Sequence, residues 1–167
     1  MDPLFDRFII AFAEVLVGRG HFDVDDPDTE GSVDIHGDMD TDRLEKAEEI
    51  LGYRFTDREL LAKSLLHASA TEERLLSNER LEFLGDAILG MVICEYIFST
   101  FSDQLEGEMT KIKSTVVSRK SCAKVAEQLF LSDLLELGKG MASRTALPPS
   151  IGAAVYESLI GAIYIDG

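Results

Sequence analysis

The stretch from Asn78 to about Phe98 contains no proline and is mostly apolar after Asp86, so it reads as one long, well-buried helix around which the chain is organised. At 100° per residue, Glu79, Glu82 and Asp86 sit at offsets 0, +3 and +7 and share one narrow strip. Leu81, Leu84, Ile88, Met91 and Val92 take the opposite side. Such a strip is either the wet side of an amphipathic helix or a set of carboxylates held together by something cationic. Two details favour the second reading. Gly85 stands mid-helix, where it costs about 1 kcal/mol relative to Ala and marks a close approach by another backbone. No Lys or Arg follows any of the three acids at i+4, the spacing a solvated face recruits. Acids this close raise one another's pKa unless a cation neutralises them, and clustered hard oxygens suit Mg²⁺ or Mn²⁺.

A formal net charge of -15 over 167 residues argues on its face against nucleic acid. Its distribution removes the objection. His21 to Asp42 holds nine acids and no Lys or Arg, whereas residues 43–167 hold 14 basic and 19 acidic residues. The length predicts one domain with extensions, and 46% hydrophobic content is ample for one core. We divide the chain into an apolar helical extension over 1–20, an acidic flexible linker over 21–41 and a helical domain over 42–167. Asp6 to Val17 could form a short apolar helix, too short to span a membrane and without the flanks of a signal peptide. The Asp-rich linker does not keep a calcium-loop register. Cys94 and Cys122 lack metal-ligand spacing and read as two reduced thiols, which with no secretion signal places the chain in the cytoplasm.

Almost nothing reads as strand, so the class is all-α. Asp42 is a plausible N-cap for a helix over Arg43 to Leu51 with Gly52 ending it, and Thr56 or Asp57 could cap the next, through about His67. His67 reads as structural. Glu106 to Val117 and Ser118 to Leu129 are two further helices. They form the most basic part of the chain, either a solvated face or a set of phosphate contacts. Leu137 to Pro149 reads as a loop. Ser150 to Ile165 is an apolar helix in which Glu157 is the sole charge, a placement hard to explain as surface decoration.

Asn78-Glu79-Arg80-Leu81-Glu82-Phe83-Leu84-Gly85-Asp86 resembles the signature motif of ribonuclease III, the divalent-metal endonuclease of double-stranded RNA. Leu51 to Phe55 and Leu65 to Ser69 resemble the segments before that signature, and Glu106 to Lys111 and Glu157 to Tyr164 its later landmarks, in order. The likeness runs from about Asp42 to Gly167. It implies Glu82 and Glu157 as ligands of Mg²⁺, with Mn²⁺ as substitute, and Asp86 with Glu157 as catalytic acids, Asp86 holding and orienting water. Glu79 and Glu106 would be outer acids of the catalytic valley. Lys111, Lys113, Arg119, Lys120, Lys139 and Arg144 would contact RNA. The resemblance further implies the family's helical endonuclease fold, a homodimer pairing through the signature helix with Phe83 at the interface, and rRNA and mRNA precursors cut to 5′ phosphate and 3′ hydroxyl ends. Neither a membrane nor a small-molecule substrate is expected.

The chain departs from that family in two places. The residue three before Glu157, an Asp in most ribonuclease III sequences, is Ala154 here, which thins the metal's shell. A catalytically weakened or inactive RNA-binding dimer is therefore the alternative reading. The chain also stops at Asp166-Gly167, about where the family's final nuclease helix would begin and before any double-stranded-RNA-binding domain, so we expect an excerpt or a minimal form.

Overall fold

The computed structural model describes residues 41–144 and 146–167, so the expected N-terminal helix and acidic linker lie outside the described residues. The described chain folds into seven α-helices: α1 (Thr41–Leu51), α2 (Arg58–Ser64), α3 (Glu79–Thr100), α4 (Glu106–Val116), α5 (Arg119–Gln128), α6 (Lys139–Ala142) and α7 (Pro149–Asp166). Short 3-10 turns join several of them, and among the described residues there is no strand. None of these helices is long and apolar enough to cross a membrane.

Helices α3 and α7 form the centre. Helix α7 buries a nearly continuous run from Ile151 to Ile163, because apolar and small residues occupy all its faces. It packs on the Leu81, Ile88, Val92 side of α3. The two approach to backbone contact. A Cβ on Gly85 would lie 1.7 Å from the carbonyl oxygen of Glu157, and one on Gly161 would lie 2.4 Å from that of Leu81. The close approach that Gly85 signals in the sequence is thus made by α7. Around this pair, Leu61, Leu65, Leu131, Leu134 and Leu159 are fully buried, and each such side chain contributes about 1.5–3 kcal/mol. The Ser158 hydroxyl donates to the carbonyl of Ser64 at 2.7 Å and ties α7 to α2.

Element boundaries differ from the sequence expectation at three points. Asp42 is already helical where the described residues begin, so it lies within α1 rather than at its cap. Gly52, at φ +62°, ends it as expected. Helix α2 is capped by Asp57 but stops at Ser64 instead of near His67. The backbone there is claimed elsewhere: His67 N–H donates to the Glu136 carbonyl and Glu136 N–H to that of Leu65. The loop of 137–149 contains the one-turn helix α6.

Two acids act as structural clamps. Glu48, buried in α1, accepts from the Phe55 N–H at 3.0 Å and from Arg54 and Arg58 at 3.0 and 2.7 Å. Asp166 accepts from the Tyr53 hydroxyl and from the N–H groups of Thr56 and Asp57, pinning the end of α7 to the α1–α2 connection. Phe130, after α5, holds a left-handed backbone at φ +54°, a conformation that costs a non-glycine residue about 1–2 kcal/mol.

Candidate active site

The first two turns of α3 and the middle of α7 meet α5 around a polar cleft of about 400 Å³. It is lined by Glu79, Glu82, Phe83, Asp86, Val117, Arg119 and Glu157. Helical spacing places Glu82 and Asp86 one turn apart, and the Gly85 contact brings the α7 backbone at Glu157 against them. Four of the five expected acids therefore share one cleft.

Its electrostatics is that of crowded carboxylates. Glu157 is 5% exposed, and burial, then Asp86 and Glu82, push its carboxyl up to about 7. Burial likewise raises Glu82, although Arg119, 3.6 Å away, pulls the other way. The buried Cys122 thiol touches Glu157 and is pushed up to about 12, chiefly by burial, so it stays protonated. Glu79 behaves differently. Both Nε and Nη2 of Arg74 donate to it and hold its carboxyl below the usual range, at the rim of the cleft. His67 accepts from the Ser69 N–H through Nδ1 and caps a 3-10 turn, the structural role expected of it.

Hard oxygens with too little positive charge are the donor set a small divalent cation fits. As they stand the carboxylates line the cleft without closing on one point: among the described residues, no three His, Cys, Asp or Glu side chains form a ready ion site.

Glu106 does not join this cleft. It accepts from the Thr110 hydroxyl and lies on a separate apolar groove with Cys94, Phe98 and Lys113. The expected basic residues also divide. Arg119 belongs to the acidic cleft and also to a broad groove of about 1370 Å³ that contains Lys120 and Arg144. Lys113 faces the Glu106 groove, Lys111 pairs with Glu108 at 2.8 Å, and Lys139 is exposed at the start of α6. Arg43 and Lys124 line the broad groove as well. Lys124 belongs to the basic helices read from the sequence as a solvated face or phosphate contacts, whereas the sequence does not single out Arg43, since only folding brings α1 to this groove. Ala154 precedes Glu157 by one turn and stands outside the cleft lining.

Comparison with known proteins gives a consistent picture. A family model described as Ribonuclease-III-like matches residues 57–167. A Ribonuclease 3 of Rhodopirellula baltica is 50% identical over 91 residues, 54% of this chain and 34% of that protein. A Ribonuclease 3 of Shouchella clausii is 44% identical over 93 residues, 54% of this chain and 35% of that protein. The chain thus spans about a third of the length of these curated relatives. Among solved structures, the nuclease domain of ribonuclease III from Campylobacter jejuni superposes with a TM-score of 0.70 at 38% identity, covering 74% of this chain and 86% of the other. A second structure of that domain gives 0.68 at 36%, covering 77% and 85%.

Proposed function

Because the chain belongs to the ribonuclease-III-like family, we propose that it is a divalent-metal-dependent endonuclease that hydrolyses phosphodiester bonds of double-stranded RNA. The observation that carries this reading is the meeting of Glu82, Asp86 and Glu157 in one cleft, with the Glu157 carboxyl pushed up to about 7. Glu82 and Glu157 are the proposed holders of Mg²⁺, or of Mn²⁺ in its place. When bound, the metal would polarise a phosphoryl oxygen and lower the pKa of water near neutrality.

The chain's own groups do the remaining work. Asp86, exposed at the cleft mouth, accepts from the attacking water and orients it. Arg119 reaches the same mouth and is placed to take a phosphate in exchange for its pairing with Glu82. Lys120 and Arg144 continue the positive lining, and with Lys111, Lys113 and Lys139 they would read backbone and shape, since the deep major groove of A-form RNA hides base edges. Glu79 and Glu106 keep the role of outer acids. Glu106 does not reach the cleft of its own chain, so that role depends on a second copy. A homodimer is proposed through the α3 surface that exposes Phe83, at 81% the most exposed large apolar side chain among the described residues. Two clefts would then cut two strands, leaving 5′ phosphate and 3′ hydroxyl ends on cytoplasmic rRNA and mRNA precursors.

A second reading rests on Ala154. With no carboxylate one turn before Glu157, the domain would bind and dimerise without cutting. Single-turnover cleavage of a long double-stranded RNA in Mg²⁺ and in Mn²⁺ separates the two. Cutting by this chain and not by Glu157→Ala supports the nuclease. Binding without cutting in either metal, with cutting restored by Ala154→Asp, supports the second reading.

A further inference from the structure

We propose that Phe130, with Lys120 and Lys124, forms a stacking subsite for an unpaired nucleotide of an RNA strand that leaves the acidic cleft. The inference rests on the RNA reading above and assigns a function to a residue that packing does not explain. Phe130 is 66% exposed, so burial does not offset its left-handed backbone. The local hydrogen bonds fix that backbone rather than the ring: its N–H donates to the Glu127 carbonyl at 3.1 Å, and its carbonyl accepts from Asp133 N–H at 3.2 Å. Glycine would meet those demands without strain. A large aromatic ring held outward at a strained position points to a role for the ring itself.

Its surroundings select the ligand. Phe130 lines the broad groove together with five basic and three acidic side chains, a balance that suits a polyanion. Arg119 lines both this groove and the acidic cleft, so the two adjoin. From Arg119 to Phe130 the chain follows α5, about 16 Å at 1.5 Å per residue, with Lys120 and Lys124 on the groove side. A strand whose phosphate sits at Arg119 can follow these lysines to the ring. Bases inside a duplex are already covered on both faces, so a protruding ring can stack only on a base that has left the duplex. An aromatic platform flanked by phosphate contacts is how single strands are held without reading sequence.

The test uses the full chain in chelator, so that no strand is cut. Binding is measured for a blunt RNA duplex and for the same duplex carrying a single-stranded tail at its 3′ or its 5′ end, with a fluorescent adenine analogue in the tail. The unaltered chain should prefer a tailed duplex by about tenfold, the scale of one base–aromatic stack, and quench the probe. Phe130→Gly should bring the tailed-to-blunt ratio to about one and abolish quenching while raising the melting temperature, so that lost binding is not lost folding. Phe130→Tyr should keep the preference. An unchanged ratio in Phe130→Gly, with the blunt duplex still bound, overturns the stacking subsite, leaves the RNA reading intact and points to a protein partner for the ring. Failure to bind either RNA overturns both.

Discussion

A methyl group on Gly85 would meet the main-chain carbonyl oxygen of Glu157 at 1.7 Å. The helix that carries Glu82 and Asp86 is therefore seated on the helix that carries Glu157 through backbone atoms. Rigid peptide groups, not adjustable side chains, set the distance between the acids.

Gly85→Ala is expected to destabilise the fold by about 3 kcal/mol or more, since α3 and α7 must separate to admit the methyl. Urea unfolding measures it. A loss under 1 kcal/mol would show that the two helices are not in backbone contact.

The pH dependence of stability follows from Glu157. Its carboxyl, ordinarily near 4.5, is pushed up to about 7 in the folded chain by burial and then by Asp86 and Glu82. Between those values the native state holds a proton that the unfolded state has released, so stability falls as pH rises through this window. In chelator the loss should approach about 3 kcal/mol at most, and Glu157→Gln should flatten the profile. Glu48 does not enter this window. Its carboxyl is lowered, so its contribution is lost only on acidification below the usual carboxylate range. Melting temperatures from about pH 5 to 7.5, with and without Mn²⁺, check the sign: a cation that displaces the proton should restore stability at the upper end.

Glu48→Ala should cost about 2–3 kcal/mol, because it leaves the Phe55 N–H buried without an acceptor and frees Arg54 and Arg58 into solvent. Cleavage per folded molecule should be unchanged, because Glu48 is not among the residues lining the acidic cleft. Denaturant titration beside a nuclease assay separates the two quantities.

Helical periodicity made much of this site legible. Offsets of 3 and 7 put three acids on one strip, a mid-helix glycine announced a close approach, and Glu157 stood out as the lone charge of an apolar segment. Properties that depend on distant partners were not legible. Glu48 looks like any surface glutamate of a charged helix until Phe55, Arg54 and Arg58 fold back over it. Asp166 looks like a terminal acid until the α1–α2 connection donates to it. Glu106 matches a motif, yet its side chain turns to another groove. Phe130 carries no glycine to betray its positive φ.

Phe83→Ala should weaken the proposed dimer by about 2 kcal/mol, roughly 30-fold in Kd, without lowering the stability of the monomer, because the ring is exposed in the single chain. Sedimentation over a dilution series measures it. An unchanged Kd would remove Phe83 from the interface.

Ala154→Asp adds a carboxylate one helical turn before Glu157. Apparent affinity for Mn²⁺, read from the rise in melting temperature on titration, should increase about 10- to 100-fold. No change would mean that position 154 cannot reach the ion.

The contact between Gly85 and Glu157 joins residues 72 positions apart. Made at the ribosome at about 5–20 residues per second, the second helix follows the first by roughly 4 to 14 seconds. Throughout that interval the part of α3 that seats on α7 has no partner, although α4 and Cys122 of α5 already pack beside Ile88, Val92 and Ile97, and the acidic cleft lacks Glu157. The acidic cleft is thus completed only when α7 emerges. A partly synthesised chain is one that must be shielded from aggregation, but it is not yet one that could cut the RNA around it.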